Sequence, residues 1–251
     1  MDKIFTLMEE ELFKKKILCV ILARSGSKGV KNKNLKKING YPLIAYSIKS
    51  ALKAKIFDDI IVSTDSNKIK NIAQKFGAKV PFLRPKKISK NNSKPIDAIF
   101  HAFEYCEKKF NIKYDYIVEI LCTNPLKTSY DIKEVVKRQI KTNADSVIAV
   151  VKQDDSHPLR IKKIVDGKIV NFLPQLKEIP ESRRQDLRPF AYLRCGSIYS
   201  MRRDMLLKKI RYGSKNSLAY LMPRKRVINI DGQLDFEFAE FFMKKHSINP
   251  E

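Results

Sequence analysis

The stretch from Ile17 to Ala23 reads ILCVILA, a near-continuous apolar run that ends in the Gly/Ser turn SGSKG. A short run of this kind is the pattern of a buried parallel strand, because a strand covered on both faces needs no polar alternation. From Leu43 to Ala54 the period changes: Ile44, Ile48, Ala51 and Leu52 recur at helical spacing and share one face. DDIIVSTD (Asp58 to Asp65) predicts a second strand with a polar carboxyl end, and SNKIKNIAQKFGA a helix stopped at Gly77. A further helix is predicted over Pro95 to Phe110, with Pro95 in its first turn, where a missing N–H costs nothing. Tyr114 to Thr123 predicts a third strand, YDIKEVVKRQIKT a helix, and Asp145 to Lys152 a fourth strand.

Strand and helix alternate, which predicts an α/β fold: a Rossmann-like, mostly parallel sheet between two helical layers. Ligands of such sheets sit beyond the carboxyl ends of the strands. The polar residues at those ends, 24–28, 63–65 and 123–127, therefore become the candidates for chemistry. The stretch from about 157 to 191 breaks the alternation. IKKIVDGKIVNF predicts a hairpin turning at Asp166-Gly167, and a polar Pro- and Arg-rich run follows. It reads as an insertion that leaves the main sheet. CGSIYSM (Cys195 to Met201) and KRVINID (Lys225 to Asp231) read as returning strands, and LDFEFAEFFMKK as a terminal amphipathic helix. The expected layout is an N-terminal helical extension over 1–16 and one domain over 17–251.

Composition narrows the class. Hydrophobic residues make up 43% of the 251, enough to build a core. Lys and Arg number 51 against 27 Asp and Glu, a formal net charge of +24. That balance suits nucleic acid, an anionic membrane or a polyanionic small molecule. The lysines are scattered rather than gathered in one arm, so most of the excess reads as solvated surface and a nucleic-acid module is disfavoured. The four cysteines, Cys19, Cys106, Cys122 and Cys195, form no CxxC pair, so neither a zinc site nor a redox motif is indicated. No run is long and apolar enough to span a bilayer. Glu9, Glu10 and Glu11 do not suit a secretory leader, and a cytoplasmic location is expected.

The strongest chemical signal is ARSGSKGVKNKN, Ala23 to Asn34, directly after the first strand. Gly26 and Gly29 let the backbone approach a ligand, and N–H groups here, with Ser27, can face phosphate oxygens. Arg24, Lys28 and Lys33 add positive charge. The spacing is neither a Walker P-loop nor a dinucleotide fingerprint. On residue types alone the loop is either a phosphate cradle or a Gly-containing surface turn in a Lys-rich chain.

The motif A-R-x-G-S-K-G-x-x-x-K-N resembles the opening signature of the acylneuraminate cytidylyltransferase family, and the likeness extends over most of the chain after Ile17. NGYPLIAYSIKSA, VSTDS, the Arg84-Pro85 pair, Asp97 with HAFE, and SHP at 156–158 are also similar to that family. The resemblance implies CTP as co-substrate, held by Ala23, Arg24, Ser27, Lys28, Lys33, Asn34 and Arg84. LCTNPLKT stands where the family has L-Q-P-T-S-P-L-R; Thr123 and Asn124 are the implied sugar contacts, and the family's Gln is missing. RRQDLRPFAY resembles R-R-Q-D-x-P-x-x-Y, which implies that Arg183, Arg184 and Gln185 face the sugar and that the insertion dimerises. Without the resemblance those arginines read as a solvated basic loop. INIDGQLDF resembles I-D-I-D-T-x-x-D-F, which implies magnesium at Asp231 with Asn229 beside it. Asp235 is a weaker candidate that can equally cap the last helix. His101 reads as a structural helix histidine with a hydrogen bond.

What the resemblance implies is a homodimeric nucleotidyltransferase acting on CTP and an acidic 3-deoxy-2-ulosonic sugar of the sialic or legionaminic type. Arg24, Lys28 and Asp231 are the expected catalytic residues. The alternatives are CMP-Kdo synthesis, a nucleoside-diphosphate-sugar pyrophosphorylase, and a basic nucleic-acid-binding protein. The last would show aromatics interleaved with the cations or a recognised motif, and neither is found.

Overall fold

The computed structural model describes residue 12 and residues 14–153, 155–175 and 182–250. Most of the expected helical extension, residues 1–11 and 13, lies outside the described residues, as does part of the Pro/Arg-rich run, 176–181.

Ten strands and six helices follow one another in the described chain. The first half holds β1 (Ile17–Leu22), the short pair β2 (Lys37–Ile38) and β3 (Tyr41–Pro42), α1 (Leu43–Ala54), β4 (Asp59–Ser63), α2 (Asn67–Lys75) and α3 (Pro95–Phe110). Then come β5 (Tyr116–Leu121), α4 (Ser129–Thr142), β6 (Ser146–Gln153), and the hairpin β7 (Lys162–Val165) and β8 (Lys168–Asn171). The chain closes with β9 (Ala191–Arg202), α5 (Arg203–Leu207), β10 (Ser217–Leu221) and α6 (Gln233–Lys245).

Six strands form one sheet in the order β10-β6-β9-β5-β1-β4. β1 runs parallel to β4 and β5, and β6 parallel to β10, while β9 lies antiparallel between β5 and β6. Strand alternation distributes the core. Cys19, Ile21, Val118 and Ile120 face α1, α2 and α4, while Leu18, Val20 and Ile117 face α3 and α5. A third cluster under α6 joins Phe236, Ala239 and Met243 to Ile38, Leu43 and Ile230. α6 thus closes over the β2–β3 corner.

Local chemistry fixes the boundaries. Ser66 Oγ accepts from the Ile69 N–H at 3.4 Å and starts α2. Thr128 and Asp131 form a reciprocal capping box at α4. The β7–β8 turn places Asp166 (φ 50°) and Gly167 (φ 75°) in the left-handed region, the two-residue hairpin turn foreseen for that pair. Among the described residues β7 and β8 pair with each other, outside the six-stranded sheet.

One strand assignment fails. Lys225 to Asp231 is not a strand: Arg224–Arg226 is a single 3-10 turn, and the chain then runs extended across the strand ends. The place beside β6 is taken by β10, Ser217–Leu221. Ile230 N–H instead donates to Thr123 O at 2.8 Å, beyond the end of β5. Residues 228–231 alternate apolar and polar because Ile230 plugs the α6 cluster while Asp231 faces outward, not because a neighbouring strand pairs with them.

Candidate functional site

At the carboxyl ends of β1 and β5 lies a cavity of about 530 Å³. The loop after β1 supplies one wall. Arg24, Ser27, Lys28, Gly29, Lys33 and Asn34 all line it. Three contacts hold this loop in shape. Asp65, at the end of β4, accepts from Ser25 N–H at 2.8 Å and from Ser25 Oγ at 3.0 Å. Asn34 Nδ2 donates to Arg24 O at 3.1 Å, closing the loop on itself. Lys33 Nζ donates to Ile230 O at 2.7 Å, tying the loop to the crossing segment 227–231.

Gly29 is the glycine that the geometry requires. A Cβ at position 29 would stand 1.8 Å from Asp231 O, whereas one at Gly26 would meet nothing within 4 Å. The close approach at Gly29 is thus to the protein's own backbone, and it brings the Asp231 carboxylate to the loop. Ser27 lines the cavity, but its N–H donates to Ser25 O at 3.0 Å and is not a free phosphate donor. Ala23 does not line the cavity: its side chain is buried in the core and its N–H pairs with Ser63 O at 3.0 Å.

The cations differ in freedom. Arg24 Nη1 donates to Asn91 Oδ1 at 2.7 Å. Burial lowers the pKa of Lys33, and the neighbouring Asp231 works against that fall. Arg84 is buried against the end of β4, where its Nε donates to Ser63 Oγ at 3.0 Å and Nη2 to Ser63 O. Burial lowers its pKa as well. Lys28 is exposed and meets no protein partner among the described residues, so its ammonium is available to an anion.

Asp231 is exposed on the cavity. Asn229 Nδ2 donates to Asp231 Oδ2 at 2.6 Å. Asn229 therefore presents its nitrogen to the carboxylate and serves it as a donor; the expected role as a second metal ligand is corrected to that extent. Asp235 Oδ2 accepts from Gly232 N–H at 2.7 Å and Asp231 N–H at 3.0 Å, so it caps α6. Among the described residues no cluster of three or more His, Cys, Asp or Glu forms a cage for a metal. One cavity-facing carboxylate does fit Mg²⁺, which keeps much of its water and completes its shell with substrate phosphates.

The expected sugar contacts divide. Thr123 lines the cavity, with its hydroxyl donating to Gly196 O at 3.3 Å. Asn124 does not: it is fully buried and its Oδ1 accepts from Leu126 N–H at 3.2 Å. Arg183, Arg184 and Gln185 are exposed and lie away from this chain's cavity. Arg183 pairs with Asp186 at 2.9 Å and Arg184 with Asp155. His101 packs its ring edge-on against Phe82 at 4.7 Å, and its Nδ1 has no hydrogen-bond partner among the described residues. Its structural role is ring packing rather than the expected hydrogen bond.

Sequence reasoning missed two parts of the wall. Lys90, Asn91, Ser93 and Lys94, before α3, line the cavity opposite the loop, and so does Glu119 in β5. The signal for the first was a polar run directly before a helix-starting proline. For Glu119 it was a lone charge inside the apolar strand YIVEIL.

The sequence pattern of the cytidylyltransferase family matches residues 18–224. A CMP-N,N'-diacetyllegionaminic acid synthase of Campylobacter jejuni is 33% identical over 93% of this chain and 97% of its own. A pseudaminic acid cytidylyltransferase of the same species is 32% identical over 91% and 97%. In fold the chain is similar to a CMP:2-keto-3-deoxy-manno-octonic acid synthetase complexed with CTP, at a TM-score of 0.65, 17% identity, and coverage of 92% of this chain and 99% of that one.

Proposed function

Because this chain belongs to the cytidylyltransferase family, we propose that it transfers CMP from CTP to the anomeric hydroxyl of a nonulosonic acid, releasing pyrophosphate. The acceptor is of the sialic, legionaminic or pseudaminic class. The observation that carries this reading is the convergence on one cavity of the Gly-Lys loop, the exposed Lys28 and the Asp231 carboxylate.

In the reaction the anomeric oxygen attacks the α-phosphorus, the new C–O–P linkage forms, the bond to the β-phosphate oxygen breaks, and the hydroxyl proton is lost. Such transfers depend chiefly on positioning and charge stabilisation. Lys28 and Arg24 oppose the charge on the phosphates, Arg24 being steadied by Asn91. Lys33 fixes Ile230, and with it the height of Asp231 over the loop. Mg²⁺ held by Asp231 would neutralise phosphate charge when bound. Thr123 is assigned to the acceptor side of the cavity, and Arg84 to the nucleotide.

Residues 157–191 are read as an insertion of the catalytic domain that serves dimerisation. In support, Ile164 and Ile169 are 77% and 75% exposed on the β7–β8 hairpin, and Phe172 is exposed next to it. A second copy of the chain covers these side chains, and Arg183, Arg184 and Gln185 reach the acceptor in the partner's cavity. Among the described residues no helix is long and apolar enough to cross a membrane.

The test is a turnover screen with CTP, Mg²⁺ and each of N-acetylneuraminic, N,N'-diacetyllegionaminic, pseudaminic and 3-deoxy-manno-octulosonic acids, followed by pyrophosphate release. Turnover with one of the first three supports the reading. Turnover with the last alone, or with none, overturns it.

A further inference from the structure

Glu119 and Asp231 are the carboxylates of an otherwise cationic cavity wall. Asp231 stands exposed at the rim, whereas Glu119 is 1% exposed. Glu119 sits two residues before Leu121 on β5 and so points to the same face, one pleat deeper, about 7 Å along the strand. Leu121 and Leu22 are side-by-side partners of the β1–β5 pairing, and both line the cavity. Pro95 and Ala98, in the first turn of α3, face them from across the cavity. Glu119 therefore lies at the foot of a slot with apolar walls.

Arg211 holds this carboxylate by one edge. Its Nε and Nη2 both contact Oε2, each at 2.5 Å, and the guanidinium is itself laid on the Tyr199 ring at 3.8 Å. Oε1 has no protein hydrogen-bond partner among the described residues. Burial pushes the Glu119 carboxyl above its ordinary value, and the touching guanidinium opposes that rise. With Oε2 committed to Arg211, Oε1 is the oxygen that remains open to the cavity, where it can accept a hydrogen bond from a ligand.

Apolar walls with an acceptor at the foot suit a flat heterocycle carrying an N–H donor better than a polyhydroxylated sugar. We propose that Glu119 reads the nucleobase, with Oε1 accepting from the exocyclic amine of cytosine. This inference rests on the cytidylyl-transfer reading of the same cavity. Uracil carries a carbonyl where cytosine carries that amine, so UTP would bring one acceptor against another. A carboxylate accepting from the cytosine amine is an established polar pairing. Arg211, which touches no base in this scheme, is a positioning residue that orients the carboxylate.

Glu119→Gln makes the test sharp. Arg211 can only donate, so it claims the amide oxygen and turns the amide NH₂ into the slot. The polarity at the foot is reversed: CTP then meets a donor and UTP finds one. Binding of CTP and of UTP, measured by calorimetry with Mg²⁺ and no sugar, reads this directly. Wild type is expected to favour CTP, and Glu119→Gln to weaken CTP roughly 10-fold or more and tighten UTP, so that their ratio falls about 100-fold. A ratio within about threefold of wild type overturns the inference. So does an unchanged ratio with a raised sugar KM, which would place Glu119 at the acceptor. If Glu119→Gln does not fold, Glu119→Leu with Arg211→Met removes both charges together, a replacement buried pairs tolerate. That double variant is expected to bind both nucleotides alike, and a retained CTP preference would overturn the inference. Wild type binding neither nucleotide would instead refute cytidylyl transfer itself.

Discussion

Gly29→Ala tests whether the loop and Asp231 form one rigid unit. The residue does not need left-handed backbone; what it lacks is room. An added methyl would lie 1.8 Å from Asp231 O and 3.0 Å from Asp231 C. Merely to reach 3.0 Å from that oxygen, something must move by ~1.2 Å. Segment 229–231 cannot simply retreat, because Ile230 N–H is held by Thr123 O at 2.8 Å and Ile230 O by Lys33 Nζ at 2.7 Å. Either those bonds break or the loop carrying Lys28 lifts. A misplacement of about 1 Å in a positioned site costs on the order of 100-fold in rate. Overpacking of this kind costs about 1–3 kcal/mol, which for a chain of this size lowers Tm by roughly 2–12 °C. The assay is pyrophosphate release at saturating CTP and acceptor, beside a thermal melt. Gly26→Ala, with nothing within 4 Å, is the matched comparison and should lose far less. A Gly29→Ala enzyme with kcat within threefold of wild type would refute the argument, as would Gly26→Ala being equally damaged.

Lys28→Ala should cut kcat on the order of 100-fold or more at saturating CTP while leaving Tm unmoved, because the side chain is exposed and meets no partner among the described residues; steady-state kinetics check it. Lys127 is buried, its Nζ donating to Ser47 Oγ at 2.8 Å, Leu121 O at 2.7 Å and Asn124 O, and burial lowers its pKa to about 8. The folded value lies below the ordinary lysine value, so the unfolded chain binds more protons between about pH 8 and 10.5. Lys127 therefore opposes folding below pH 8 and does so less as pH rises. Denaturant melts should show wild-type stability gaining on Lys127→Met across that window, and a flat difference would contradict the assignment. Ile164→Asp with Ile169→Asp should turn a dimer into a monomer by light scattering without lowering Tm, since both side chains are exposed in the single chain.

The core of this fold was legible because its signals are local. A strand buried on both faces is apolar almost throughout, so Ile17 to Leu22 announces itself and Tyr116 to Leu121 does so despite Glu119, and an amphipathic helix must repeat near 3.6 residues, so Leu43–Ala54 and Pro95–Phe110 appear with their observed ends. The Asp166-Gly167 hairpin was fixed by two residues that tolerate positive φ. The loop 23–34 was legible as a candidate site by its glycines and cations. Tertiary structure decided the rest, because burial and partnership are relations between distant segments. Residues 225–231 read as a returning strand, yet β10 holds the sheet edge and the segment bridges Lys33 to Thr123 instead. Asn124 carried a plausible side chain for a sugar and is turned into its own backbone. Gly29 needs its missing Cβ for the sake of a carbonyl two hundred residues later in the chain, and Glu119 gains meaning only when Arg211 claims one of its oxygens. Residue types set which interactions the chain could make; the fold, by setting distances between residues far apart in sequence, selected the ones it does make.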